Sequence, residues 1–293
     1  MKLHCIPILS ALFTSLVCFS NPATKISDNS PSSGIVIRWN DCEQTIDGFG
    51  IAQAGWAKEL FAFKNRKQVM DKMFGNDGLR LNILRGEIFP HYWENKEDKD
   101  FNLNDDINIE LCDSDFNNKS DDLLRRGQLW LTLEAKNKYH INKLVFSTWS
   151  APAWMKSNGK VSNGKLKPEC YQDFANYLAA FYKAYKSKGI TPYAISPSNE
   201  PGYAAPWNSS LWTADEMGKF ITSNLGPTFQ KENIPAKIIF GENPLWSVVM
   251  PQLKMVSSKD FTDTILQDYP EIKKFNLIAA GHGYSLSPDI MPI

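Results

Sequence analysis

Residues 192–201 read Pro-Tyr-Ala-Ile-Ser-Pro-Ser-Asn-Glu-Pro. The first half is a short apolar run bounded by proline, too brief for a helix, and it reads as a buried strand. Pro201 ends it, because proline has no amide hydrogen to offer a neighbouring strand. Glu200 therefore falls at the carboxyl end of a strand, with Asn199 beside it. Strand-like runs of the same kind are expected at Thr45–Gly50, Leu79–Glu87, Lys143–Trp149, Ala236–Gly241 and Asn276–His282. With Pro192–Ser198 they make six, and helix-like segments lie between them. Parallel neighbours need such crossovers, so the alternation implies a parallel α/β sheet.

Two of the helices are well marked. Glu169–Lys188 carries Tyr171, Phe174, Ala175, Leu178, Phe181, Tyr182 and Tyr185 as a stripe of helical period, after Pro168 and before Gly189. The second opens at Thr213 with Glu216 three residues on, a capping box, and is expected to reach about Asn233. Turn-forming, polar and aromatic residues follow the strands: Arg85-Gly86-Glu87, Trp149-Ser150, Asn199-Glu200-Pro201, Glu242-Asn243-Pro244 and His282-Gly283-Tyr284. A (β/α)8 barrel builds its site at these carboxyl ends, and an open doubly wound sheet would do so at a switch point. The chain holds no G-x-G-x-x-G and no phosphate loop, which weakens the second architecture.

The 293 residues suit two ordinary domains or one large barrel. Lys plus Arg and Asp plus Glu number 32 each, so zero net charge gives no reason to expect nucleic acid or an anionic membrane as partner. At 43% hydrophobic residues the chain can fill a core. Lys2, the apolar run Ile6–Phe19 and the small residues Cys18 and Ser20 read as a signal peptide over residues 1–20 and predict secretion. The run is too short for a membrane span. Lipid anchoring at Cys18 is the lesser alternative, since Val17 stands where a small residue is wanted. Residues 21–34 read as a flexible linker, and nothing later divides the chain. Cys42, Cys112 and Cys170 remain after cleavage, too few and too scattered for a disulfide framework or a zinc motif. Asp113, Asp115 and Asn117 imitate a calcium loop, but Asn118 and Leu124 occupy positions that need Gly and Glu. Ser196 and Ser198 have no G-x-S-x-G elbow around them. No cofactor or metal is expected, and the sequence is silent on oligomeric state.

Glu200 is the strongest candidate for chemistry, because an enclosed carboxyl suits a general acid. The bland reading is a Glu that caps a helix or pairs with a lysine. The loop behind it, with Tyr203, Trp207 and Trp212, favours the chemical one. Arg85 can orient a carboxylate by a two-point hydrogen bond, or it forms a structural pair with Glu87. Trp149 and Trp154 offer flat walls for a sugar face, or are ordinary core residues. His282 alone reads more readily as structural than as a base.

From Gln44 to Tyr284 the sequence resembles glycoside hydrolase family 30, retaining enzymes on (β/α)8 barrels. The matching pieces are Asp47-Gly48-Phe49-Gly50, Ile83-Leu84-Arg85, Trp149-Ser150-Ala151-Pro152, Ile195 to Pro201 and His282-Gly283-Tyr284. The resemblance implies that Glu200 is the acid/base and that Asn199 meets the substrate 2-hydroxyl. The same resemblance implies that Arg85, Trp149 and Tyr284 line the cleaved subsite of a polysaccharide or oligosaccharide, and His282 and Trp207 are further candidates for contact with that substrate. It also implies a nucleophilic Glu after a seventh strand, whereas the sequence runs only to Ile293 beyond the sixth. Residues 35–293 are then the N-terminal part of a barrel, with Ile35–Trp39 as one strand of a β side domain. Glu242 is a poor substitute nucleophile, since the family carries a non-nucleophilic Glu there. The expected activity is that of an endo-β-1,4-xylanase. The alternatives are glucosylceramidase or β-glucosidase action, endo-β-1,6-galactanase action, and sugar binding without catalysis.

Overall fold

The computed structural model describes residues 38, 40–41, 45–53, 56–97, 127–247 and 256–284. The chain divides into two units, residues 1–46 and 47–293. In the first, Arg38 and Asp41 close a turn through the Asp41 amide and the Arg38 carbonyl at 3.2 Å. The expected signal peptide, the linker, Cys42 and Cys112 lie outside the described residues, as does all of Ile35–Trp39 but Arg38. The second unit holds a parallel sheet of six strands in sequence order. These are β1 (Gly50–Ala52), β2 (Ile83–Ile88), β3 (Lys143–Thr148), β4 (Ala194–Ser196), β5 (Lys237–Asn243) and β6 (Leu277–Gly281). They curl into an incomplete barrel in which β1 and β6 are the edges among the described residues.

Period-two alternation sorts the side chains. Leu84, Phe146, Ile195, Ile238 and Phe240 join the hydrophobic core under the helices. Between them, Arg85, Ser147 and Ser196 point to the polar cluster described below, and the bulge between Gly241 and Asn243 turns Glu242, otherwise in phase with Ile238 and Phe240, into it. The helices are α1 (Ala57–Ala62), α2 (Arg66–Phe74), α3 (Gln128–Tyr139), α4 (Tyr171–Ser187), α5 (Ala214–Phe220), α6 (Gly226–Lys231) and α7 (Ser258–Asp268). The stripe expected on α4 is buried at Tyr171, Phe174, Leu178, Phe181, Tyr182 and Tyr185. The capping box is complete: the Thr213 side chain accepts from the Glu216 amide, and the Glu216 side chain accepts from the Thr213 amide. The helix expected to reach Asn233 is not uniform. A wide π turn, Ile221–Leu225, joins α5 to α6 ahead of Pro227.

Two strand expectations shift. β1 starts at Gly50, because Asp47-Gly48-Phe49 is irregular backbone held by Asn82, whose Oδ1 accepts from the Phe49 amide at 3.0 Å. β2 starts at Ile83, because Leu79 and Leu81 instead donate their amides to Lys72 and Met73 carbonyls at the end of α2. Gly86 in β2 lets α3 approach: a Cβ there would meet Gln128 Oε1 at 2.6 Å. Gln128 bonds the Glu87 amide at 2.6 Å and the Glu87 carbonyl at 2.8 Å, fastening helix to strand. Cys170 is a buried free thiol. No helix among the described residues is long and apolar enough to cross a membrane.

Candidate active site

Glu200 lies four residues beyond β4 and Glu242 is the next-to-last residue of β5, and both have left-handed backbone, at φ 50° and 32°. Such residues cost of order 1–3 kcal/mol each and persist where the surroundings over-determine them. Here the Glu200 amide donates to the Glu242 carbonyl at 3.0 Å, tying the ends of β4 and β5 together. The Gly202 amide donates to Asn243 Oδ1 at 2.7 Å, and the Asn199 amide to the Thr148 carbonyl at 2.7 Å. The turn carrying Glu200 is thus held from both neighbouring strands.

The side chains form one connected cluster. Arg85 Nη2 donates to Glu242 Oε1 at 2.5 Å and to Asn199 Oδ1 at 2.7 Å. On Oε2 of Glu242, Ser147 donates at 3.0 Å and Ser196 donates as well. His282 stands between the carboxylates, with Nδ1 2.9 Å from Glu200 Oε1 and Nε2 3.6 Å from Glu242 Oε1. The first is a hydrogen bond; the second is an ion-pair distance. Burial alone would raise the Glu242 pKa, but Arg85, His282 and Ser196 outweigh it and pull it down to about 2. Burial disfavours the His282 cation, yet its bonds to Glu200 and Glu242 prevail and lift it to about 8. Glu242 is therefore a fixed anion and His282 a cation at neutral pH.

A recess of about 450 Å³ opens here, lined by Arg85, Val145, Ile239, Glu242, His282 and Tyr284 with the backbone of residues 280–283. Of the residues singled out in the sequence, Arg85, His282 and Tyr284 meet in this recess. Glu200 and Asn199 adjoin it through their bonds to His282 and Arg85. Trp149 lies against Arg85, whose Cζ is 4.5 Å from the indole centroid. Trp207 is left out: it is 55% exposed on the loop after Glu200. Trp154 belongs to the packing, its Nε1 donating to the Trp93 carbonyl at 3.0 Å. Arg85 pairs with Glu242 rather than Glu87, and through one nitrogen rather than two. Sequence reasoning did not find the work of Ser147 and Ser196, since hydroxyl residues in strands carry no signal of their own. Nor did it find Lys156, 2% exposed, whose Nζ donates to Ser150 Oγ at 3.1 Å and to the Ser209 carbonyl at 2.5 Å and so joins the loop after β3 to the loop after β4. Burial pushes its pKa down to about 7.

The cluster and its recess lie at the carboxyl ends of the strands, where (β/α)8 barrels place their active sites. Residues 46–269 match the Glycosyl hydrolase family 30 TIM-barrel domain, and the chain belongs to that family. It is 30% identical over 200 residues to Putative glucosylceramidase 3 of Caenorhabditis elegans, covering 65% of this chain and 37% of that protein. It is 28% identical over 237 residues to Endo-1,6-beta-D-glucanase of Neurospora crassa, covering 75% of this chain and 45% of that protein. The solved endo-beta1,6-glucanase BT3312 has the same fold, with a TM-score of 0.68 at 24% identity over 84% of this chain and 54% of that one. The chain thus spans about a third to a half of the curated relatives' length.

Proposed function

We propose that this chain carries the acid/base half of a retaining O-glycosyl hydrolase acting on a plant polysaccharide, with xylan the first substrate reading. The observation that carries it is Glu200, 8% exposed four residues beyond β4 with His282 Nδ1 2.9 Å from its carboxyl. Protonated Glu200 gives its proton to the glycosidic oxygen as the bond to the anomeric carbon breaks. As carboxylate it then takes a proton from the water that releases the sugar from the enzyme. Asn199, with its carboxamide oxygen held by Arg85, turns its NH₂ end to the sugar 2-hydroxyl. Trp149 and Tyr284 wall the ring being cleaved.

The nucleophile is a further carboxylate, about 5–5.5 Å from the first in retaining enzymes. Glu242 does not serve, because Arg85, Ser147 and Ser196 occupy its oxygens and the His282 ring stands between it and Glu200. The residue expected after a seventh strand fills that role. The apolar leader at residues 6–19 supports action outside the cell.

β-1,6-Glucan is the second substrate reading, favoured by the 237-residue match to the Neurospora crassa enzyme. Reducing-sugar release from xylan, β-1,6-glucan and β-1,6-galactan by the full-length enzyme separates these readings. Glu200→Gln in that enzyme is expected to lower turnover of natural glycan about 10²–10⁴-fold, since an amide donates no proton to a leaving oxygen. Aryl glycosides with good leaving groups should lose far less in the first step. Equal losses on both substrates would remove Glu200 from the acid's role.

A further inference from the structure

The turn with Glu200 at its left-handed position is tied to the neighbouring strands at three points. The Asn199 amide donates to the Thr148 carbonyl at 2.7 Å, and the Glu200 amide to the Glu242 carbonyl at 3.0 Å. Past the carboxyl, the Gly202 amide donates to Asn243 Oδ1 at 2.7 Å. The first two acceptors are backbone carbonyls, which any sequence supplies. Only the third depends on the identity of a side chain. Asn243 ends β5 and is fully buried. Its amide donates to Ser258 Oγ at 2.9 Å and its carbonyl accepts from the Ser258 hydroxyl at 3.1 Å, which anchors it to the first residue of α7. The same carbonyl accepts from the His282 amide at 2.9 Å. Gly202 allows the close approach, since a Cβ there would meet Asn243 Oδ1 at 2.8 Å. Asn243 Nδ2 is buried without a hydrogen-bond partner among the described residues, so the oxygen end alone is engaged.

We propose that Asn243 is a positioning residue for the reaction, its carboxamide oxygen fixing the turn of Glu200 in register with His282. The inference rests on Glu200 being the acid. Left-handed backbone relaxes toward commoner conformations unless its surroundings over-determine it. Without the tie at Gly202, the turn is restrained on its entry side alone, and the Glu200 carboxyl swings away from His282 Nδ1, now 2.9 Å from it. His282 does not follow, because its amide bonds the backbone of Asn243 and not the side chain. Asn243 therefore references the acid and its imidazole partner to one point at the end of β5. It is not among the residues lining the recess, so its effect reaches the chemistry only through the turn. A misplacement of about 1 Å can cost a reacting group about a hundredfold in rate.

In the full-length enzyme, Asn243→Leu keeps much of the side chain's shape and removes the acceptor. It is expected to lower kcat on natural glycan about ten- to hundredfold, with KM changed less than about twofold. Aryl glycosides with good leaving groups should lose less than about threefold in the first step, because they need little acid. Asn243→Asp, which returns an oxygen to the same place, should recover most of the loss. In the 293-residue chain, ¹⁵N NMR of the imidazole reads the same contact without turnover. The His282 pKa is expected to drop from about 8 in Asn243→Leu and to stay at or above 8 in Asn243→Asp. Gly202→Ala crowds the same oxygen from the other side and should lower that pKa too, which gives a second reading should Asn243→Leu fail to fold. Equal losses on glycan and aryl glycoside in Asn243→Leu would overturn the proposal, since general damage spares neither substrate. So would a His282 pKa unmoved in both the Leu and the Ala variant. If Glu200→Gln itself loses equally on both substrates while the His282 shift persists, the acid assignment falls and the hold of Asn243 on Glu200 stands.

Discussion

Glu242 has more of its chemistry settled by neighbours than any other residue in the ring. Three donors meet its two oxygens, and its backbone is held left-handed by the bulge between Gly241 and Asn243. What it stabilises in turn is the charge on His282. With Glu242→Gln the imidazole loses the Glu242 carboxylate, and burial gains weight against the cation. The His282 pKa is expected to fall from about 8 toward its ordinary 6.5, read by ¹⁵N NMR of the imidazole. A value unchanged near 8 would mean that Glu200 alone holds the proton. Glu200 was legible in the sequence because Asn199-Glu200-Pro201 follows a short apolar run, although the strand stops at Ser196, four residues before it. The partners of Glu242 were not, because Arg85, Ser147 and Ser196 come together only once the register of four strands is set.

At the scale of elements, strand ends were easier to read than strand starts. Polar and turn-forming residues mark strand ends locally, and all six expected ends lie within two residues of the observed ones. Starts depend on pairing. Leu79 reads as strand, but Arg80 takes a left-handed backbone at φ 53° and Leu79 is 72% exposed, so the ladder waits for Ile83 opposite Gly50. The helix from Thr213 was legible through its capping box, whereas the π turn was not. Pro227 would clash with a carbonyl one α-turn earlier, and the wider turn before it removes that clash. α5 has only seven residues, so its first turn matters. Thr213→Ala is expected to cost about 1 kcal/mol in chemical denaturation, because the Glu216 amide loses its acceptor. No change would show that packing alone holds the helix start.

For the whole molecule, the alternation of strands and helices fixed the class of fold, and the sheet order adds that no strand is skipped. The charges inside the ring give stability a pH dependence that composition cannot supply. His282, with its pKa raised, contributes fully below 6.5 and loses that contribution as pH rises through about 8. Glu242, with its pKa lowered, contributes fully above 4.5 and loses it as pH falls through about 2. Both contributions are complete together only between pH 4.5 and 6.5. The unfolding free energy from urea titration should therefore be larger at pH 5.5 than at pH 9, by roughly 2 kcal/mol for a shift the size of that of His282, and the midpoint higher with it. Glu242→Gln should flatten most of that difference. A wild-type midpoint that stays level across the same range would mean that His282 titrates alike in the folded and unfolded chain.

Lys156 carries one more consequence. While the two loops are closed its amine is largely uncharged at pH 8 yet enclosed, so an acylating reagent cannot reach it. Each separation of the loops hands that one amine to the solvent. The rate at which it is acylated, set against the unchanging rate of the exposed lysines, counts how often the clasp above the barrel comes undone.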